Sequence, residues 1–152
     1  MGIAIMLHLL GVVVWVGGMF FAYRALRPAA AELLAPPQRL PLWGRVFNHF
    51  FPWVWVSVAL ILSSGLYMIM LLGGFKAVSL SVHAMFGIGL VMILVFCFVY
   101  FVPYGKLVHA ITDQEWKNGA DALAVIRKLI GMNLSLGLIN IVISVMDRIV
   151  FL

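Results

Sequence analysis

The chain alternates between long apolar runs and shorter polar stretches. The apolar runs cover about residues 2–26, 50–74, 79–106 and 125–151, and the polar connections cover about residues 27–48 and 107–124. A helix needs roughly 20 apolar residues to cross a bilayer, and each run is continuous rather than alternating, which favours helices over barrel strands. The pattern predicts an all-α, integral membrane, antiparallel four-helix bundle, with a single transmembrane domain over residues 1–152.

Composition and charge sharpen this prediction. Hydrophobic residues make up 65% of the chain and charged residues only 10%, which excludes an ordinary soluble domain. The net charge of +5 therefore reports membrane topology rather than a nucleic-acid partner. Eight of the ten basic residues lie in or beside the two longer connections. We expect both termini outside, both connections in the cytoplasm, and a multi-pass protein of the bacterial inner membrane whose main partner is lipid.

Two histidines interrupt the apolar runs at matching depth. His8 lies about two turns inside the first run and His83 little more than one turn inside the third, both counted from the outer end. Each has a glycine about one turn deeper, Gly11 and Gly87. Two neutral imidazoles on facing helices, beside residues small enough to admit a flat ring, are what axial ligation of a b-type haem requires. The pattern therefore predicts haem b between His8 and His83.

Further residues extend this hypothesis or compete with it. The cations at the outer ends, Lys76 and Arg148, are predicted partners of the haem propionates. His49 and His109, at the cytoplasmic ends of the second and third helices, form a weaker pair for a second haem. Copper is the competing cofactor, because imidazole and thioether groups together suit Cu(I). Outer-half methionines that could join the two histidines are Met6, Met68, Met70, Met85 and Met146.

The predicted function follows from bis-histidine ligation, which fills both axial positions of the iron and favours electron transfer. We expect electrons to pass between a quinone or membrane redox partner and an outer acceptor. No residue set specifies a substrate, so an enzyme would be a haem-dependent membrane oxidoreductase with unassigned catalytic residues. A Cu(I) carrier and a non-catalytic assembly subunit remain alternative functions. Assembly of the chain into a homo-oligomer is also left open. Asn133 and Asn140 are expected to hydrogen-bond between helices.

Three segments resemble a known family. HLLGVVVWVGGMFFAYRALRPAA, from His8, resembles the first helix of the CopD copper-resistance membrane proteins and of the related HemJ-type protoporphyrinogen oxidases. GRVFNHFFPWVWVSVALILSSGLYM resembles their second helix, and SVHAMFGIGL the start of the HemJ third helix. The resemblance implies a membrane bundle able to hold haem, with His8 and His83 as ligands. Met85 stands where the HemJ helix has lysine, which counts against porphyrinogen oxidation.

Overall fold

The computed structural model describes the backbone of residues 1–150 and the side chains of residues 1–146. This part of the chain is almost entirely helical and contains no strand. The elements are α1 (Gly2–Phe21), a π-helical turn (Ala22–Leu26), α2 (Arg27–Leu33), α3 (Pro36–Leu71), α4 (Leu80–Phe101), α5 (Pro103–Thr112) and α6 (Trp116–Val150).

Within the described residues, four helical stretches are long and apolar enough to cross a membrane. The first joins α1 to α2 through the π-helical turn, the second is α3, the third joins α4 to α5, and the fourth is α6. Their bounds are Gly2–Leu33, Pro36–Leu71, Leu80–Thr112 and Trp116–Met146. The predicted all-α, integral membrane four-helix bundle is confirmed. Which ends face the cytoplasm stays a prediction.

The second helix is longer than its hydropathy predicts. α3 begins at Pro36, where a proline pair occupies the first helical turn and no intrahelical bond is lost. Leu40, Trp43 and Phe47 follow at spacings of three and four residues, and all are buried. This amphipathic stripe packs the early turns of α3 onto the bundle. The polar stretch 27–48, predicted as a loop, is therefore helical apart from two residues.

The second predicted loop, over residues 107–124, is also largely helical. α5 ends at Thr112 and α6 begins at Trp116, so only a short turn separates them. Leu107 and Leu123, both inside the predicted loop, are almost fully buried. Burial of these side chains holds α5 and the start of α6 against the bundle, which a hydropathy window over charged residues does not reveal.

The helices pack in two tight pairs around a shared centre. α1 packs mainly against α3, and α4 mainly against α6, while α3 and α4 contact each other little. α6 also touches α1 and α3. Asn133 Nδ2 donates to the Met92 carbonyl at 3.0 Å and Asn140 Nδ2 to the Met85 carbonyl at 3.2 Å, so the predicted interhelical hydrogen bonds are confirmed. α4 is thereby attached to α6.

Aromatic side chains fill the half of the bundle remote from the α3–α4 connection. Phe51 stacks on Phe47 with ring centroids 5.1 Å apart, and Tyr104 lies edge-on to Phe51 at 4.9 Å. Phe96 contacts both Phe51 and Trp15, which brings α1, α3 and α4 together. His8 lies outside this aromatic cluster, in the half of the bundle nearer the α3–α4 connection.

Candidate functional site

His8 lies in the interface between α1 and α3. Its Nδ1 is 3.0 Å from Ser64 Oγ, and a methyl group placed on Gly65 would lie 3.4 Å from its Cε1. The imidazole is half-buried. A polar ring inside a membrane span is costly and normally faces the bundle interior. The packing of α1 on α3 provides this location for His8.

The hydrogen bonds of Ser64 determine which nitrogen of His8 carries the proton. Ser64 Oγ donates its only hydrogen to the Leu60 carbonyl at 2.5 Å, so towards His8 the oxygen can only accept. His8 Nδ1 is therefore the donor. The Ile61 carbonyl, 3.3 Å from Ser64 Oγ, places another acceptor beside the ring. Nε2 thus keeps the lone pair that a metal ion requires, as when a neighbouring acceptor fixes the tautomer of a metal ligand.

A soft side chain follows Ser64 on the same face of α3. α1 and α3 run antiparallel, with contacts between Gly18 and Phe50, Gly11 and Ile61, and His8 and Ser64. Met68 comes one helical turn after Ser64, so the register places it beyond His8, towards the start of α1. Met68 is half-buried. The register thus places Met68 about one helical turn from the His8–Ser64 contact.

His83 lies about one turn inside α4 and is exposed. Its Nδ1 donates to the Ser79 carbonyl at 2.9 Å, because a carbonyl can only accept, and its Nε2 also keeps a free lone pair. The ring of Phe75, in the α3–α4 connection, is 5.9 Å away. His8 and His83 lie at the same end of the bundle, but they belong to different helix pairs.

The two glycines predicted to admit a flat ring have different surroundings. A methyl group on Gly11 would lie 2.9 Å from Ile61 Cγ1 and 3.1 Å from the Ser57 carbonyl oxygen, so α3 already fills the space beside Gly11. Gly87 is exposed, with no other side chain within 4 Å of the corresponding position. In the described part of the chain these glycines do not line a common slot. The geometry gives no support to haem b.

The other residues of the predicted site have different surroundings, so far as their side chains are described. Lys76 is exposed in the α3–α4 connection, and the side chain of Arg148 lies outside the described residues. His49 is exposed on α3, and His109 pairs at 3.2 Å with an aspartate one turn later. The Met85 carbonyl accepts the α6 hydrogen bond described above. No hydrogen bond or ion pair among the described side chains links Lys76, His49 or His109 to His8.

No three histidine, cysteine, aspartate or glutamate residues with described side chains are grouped to hold a metal ion. A metal at His8 therefore needs thioether sulfur or an exogenous ligand as well. Sequence reasoning did not single out Ser64, which fixes the His8 tautomer. Counting inward from the outer end of the second span, as for His83, would have placed Ser64 at the level of His8.

One comparison with known proteins identifies a family. Residues 44–146 match the family model CopD, copper resistance protein D, which is more than half of the chain. No curated protein and no solved structure matches the chain. The match covers most of α3, all of α4 and α5, and most of α6, including Ser64 and His83. The resemblance to HemJ-type oxidases stays a prediction, whereas the four-helix membrane protein described here belongs to the copper resistance protein D family.

Proposed function

We propose that this protein binds Cu(I) in the membrane and carries it as cargo, with His8 as the central ligand. The contact between His8 Nδ1 and Ser64 Oγ is the observation that carries the proposal. Its Nδ1–H is engaged by Ser64, so Nε2 is available to a metal without a change in the interface. Membership of the copper resistance family supports copper as that metal.

The ligand chemistry favours the monovalent ion. Imidazole and thioether form a soft, neutral set that suits Cu(I), and Met68 lies one turn from the His8–Ser64 contact. A singly charged ion also loses less hydration free energy than a divalent ion on entering a weakly polar interface. We therefore assign the holding site to His8 Nε2 and the Met68 sulfur.

His83 serves in this proposal as the ligand that receives the ion. It is exposed at the same end of the bundle as His8, and the Ser79 carbonyl holds it in the same tautomer. An exposed ligand exchanges metal readily, while a half-buried one retains it. We propose that copper meets His83 first and is then held at His8. With the orientation predicted from the loop charges, this end faces the outside of the bacterial inner membrane.

Haem b, electron transfer and a quinone partner remain predictions that no contact in the described residues favours. Gly11 is packed against α3 and Gly87 lies open, so the surroundings of the two glycines lend the haem hypothesis no support. Copper as cargo needs no such slot. It requires ligands that bind and release the ion, which the unequal exposure of the two histidines provides.

The test is an anaerobic titration of the purified protein in detergent, with Cu(I) delivered from a bicinchoninate complex. We expect stoichiometric retention of copper, and an affinity at least about tenfold lower in His8→Ala. His109→Ala is the matched control, because His109 lies at the other end of the bundle and should leave affinity unchanged. X-ray absorption of the loaded protein should show nitrogen and sulfur neighbours, the latter lost in Met68→Leu.

Two results would overturn the proposal. One is a failure of the wild-type protein to compete with bicinchoninate for Cu(I). The other is a Soret absorption band that survives purification and disappears in both His8→Ala and His83→Ala, which would establish haem b instead. Retention of copper with a normal affinity in His8→Ala would contradict the assignment of the site to His8.

A further inference from the structure

Three arginines converge at the end of the bundle opposite His8. Arg27 opens α2, Arg39 lies in the first turns of α3, and Arg127 belongs to α6. Arg127 interacts electrostatically with both of the others, and all three are half-buried. None of the three forms an ion pair with a carboxylate whose side chain is described. Three helices thus bring together positive charge that no acidic side chain among residues 1–146 neutralises.

Tyr23 explains how two of these arginines meet. The Arg27 guanidinium lies 5.0 Å from the centre of the Tyr23 ring. The same ring packs on α6, where a methyl group on Gly131 would lie 3.0 Å from Tyr23 Cε2 and 3.2 Å from its hydroxyl oxygen. Arg127 precedes Gly131 by one helical turn and so starts from the same face of α6. The ring fits because Gly131 has no side chain, and it brings Arg27 towards Arg127.

The local backbone supports this arrangement. Tyr23 belongs to the π-helical turn between α1 and α2, and such turns occur mostly as single insertions, frequently at functional sites. The wider turn changes the direction in which the residues after α1 project. An α-helix continued through this segment would give Tyr23 and Arg27 a different angular position relative to α6. The π-helical turn is therefore part of the geometry that assembles the three guanidinium groups.

We propose that Arg27, Arg39 and Arg127 form a binding site for the phosphate group of an anionic phospholipid. A planar guanidinium matches two phosphate oxygens at once, and an anion among three such groups replaces their mutual repulsion by attraction. Basic pockets between membrane helices are known to accept lipid headgroups. The site is separate from the copper site and does not depend on the proposed function.

The surroundings identify a lipid rather than a soluble anion as the source of this phosphate. Phe20 and Phe21, which directly precede the π-helical turn, are 52% and 61% exposed, and Leu33 at the end of α2 is 80% exposed. These side chains lie close to Arg27 in the chain and expose apolar surface of the kind that acyl chains cover. A phospholipid satisfies the guanidinium groups and this surface together, while inorganic phosphate satisfies only the charges.

The experiment counts lipids bound to the full chain. The purified, delipidated protein is titrated in detergent with phosphatidylglycerol or phosphatidylcholine, bound lipid is counted by native mass spectrometry, and thermal unfolding is followed in parallel. We expect one phosphatidylglycerol to be retained with a rise in Tm, and Arg127→Gln to weaken its affinity about five- to tenfold. Arg45→Gln is the matched control, since it removes the same charge from an exposed position on α3.

Two further variants sharpen the result. Arg39→Gln changes a residue near the start of α3. It tests the same site if Arg127→Gln does not fold. Arg127→Lys keeps the charge but loses the bidentate geometry, so it should bind less tightly than the wild type and more tightly than Arg127→Gln. Three results would each overturn the proposal. They are a loss of phosphatidylglycerol affinity in Arg45→Gln equal to that in Arg127→Gln, retention of phosphatidylcholine equal to that of phosphatidylglycerol, and an equal rise in Tm with inorganic phosphate alone.

Discussion

Gly11 of α1 and Ile61 of α3 are in such close contact that a methyl group on Gly11 would lie 2.9 Å from Ile61 Cγ1. The Ser57 carbonyl oxygen, only 3.1 Å from the same position, belongs to the backbone and cannot rotate away. We therefore expect Gly11→Ala to separate α1 from α3, to cost about 1–3 kcal/mol of stability and to weaken Cu(I) binding at His8. Thermal unfolding in detergent and the copper titration measure the two effects.

Gly17→Ala is the control for this prediction. Gly17 is exposed on α1, and no other side chain lies within 4 Å of the corresponding methyl position. Alanine is the better helix former, so this substitution should leave stability unchanged or raise it by up to about 1 kcal/mol. Equal stability of the two variants would show that the close contact between α1 and α3 does not limit how the helices pack.

Ser64 should affect copper affinity without touching the metal. Ser64→Ala removes the acceptor that holds the His8 Nδ1–H, so the ring is free to turn or to change tautomer. Loss of such an outer-shell partner typically costs about 10- to 100-fold in metal affinity, and we expect a loss in this range in the bicinchoninate titration. Ser63→Ala is the control, because Ser63 is exposed and bonds only to carbonyls of its own helix. An unchanged affinity in Ser64→Ala would contradict the positioning role.

The four membrane spans could be predicted from the sequence, because length and apolar composition alone decide whether a helix can cross a bilayer. The early start of α3, at Pro36, could not be predicted in this way. Residues 36–49 mix prolines and arginines with apolar side chains, so a hydropathy window scores them as a loop. Their burial depends on Leu40, Trp43 and Phe47 meeting the other helices, which is a property of the assembled bundle.

The site was predicted in part, for a related reason. His8 stands out as an ionisable residue in an apolar run, and its depth can be counted from the chain. Its partner depends on which helices pack together, and four spans of similar hydropathy do not specify that. Depth in the membrane, counted along the chain, paired His8 with His83. In the structure α1 packs mainly against α3, and α4 mainly against α6, so the hydrogen-bond partner of His8 is Ser64.

Phe51 should be a main determinant of stability. It is 3% exposed and contacts aromatic rings on three helices, including Phe47, Phe96 and Tyr104. Phe51→Ala leaves a cavity that these rings cannot close, and we expect a loss of about 3–5 kcal/mol in thermal unfolding. Trp53→Ala is the comparison, since Trp53 lies two residues away but is 62% exposed, and it should change stability by less than about 0.5 kcal/mol. Similar losses in the two variants would exclude a special role for the aromatic cluster.

In the described part of the chain, the side-chain amide of Asn133 has one polar group with a hydrogen-bond partner and one without. Its Nδ2 donates to the Met92 carbonyl at 3.0 Å, while its Oδ1 is buried and has no hydrogen-bond partner among the described residues. The orientation of the amide is fixed, because the Met92 carbonyl can only accept. Asn133 also lines a small central cavity of about 20 Å³ together with Trp15 and Met19. An apolar side chain at position 133 would remove the unpaired oxygen and fill part of the cavity, and both changes favour stability.

Leucine and aspartate at position 133 should therefore have opposite effects. Asn133→Leu loses a hydrogen bond worth about 0.6–1.7 kcal/mol between membrane helices but removes an unpaired oxygen that costs about 1–3 kcal/mol, so stability should stay level or rise. Asn133→Asp replaces the donor with oxygen facing the Met92 carbonyl and should destabilise the protein strongly. Thermal unfolding of the three proteins in one detergent measures the order. A leucine variant as unstable as the aspartate variant would mean that Oδ1 has a partner in the membrane, such as a bound water.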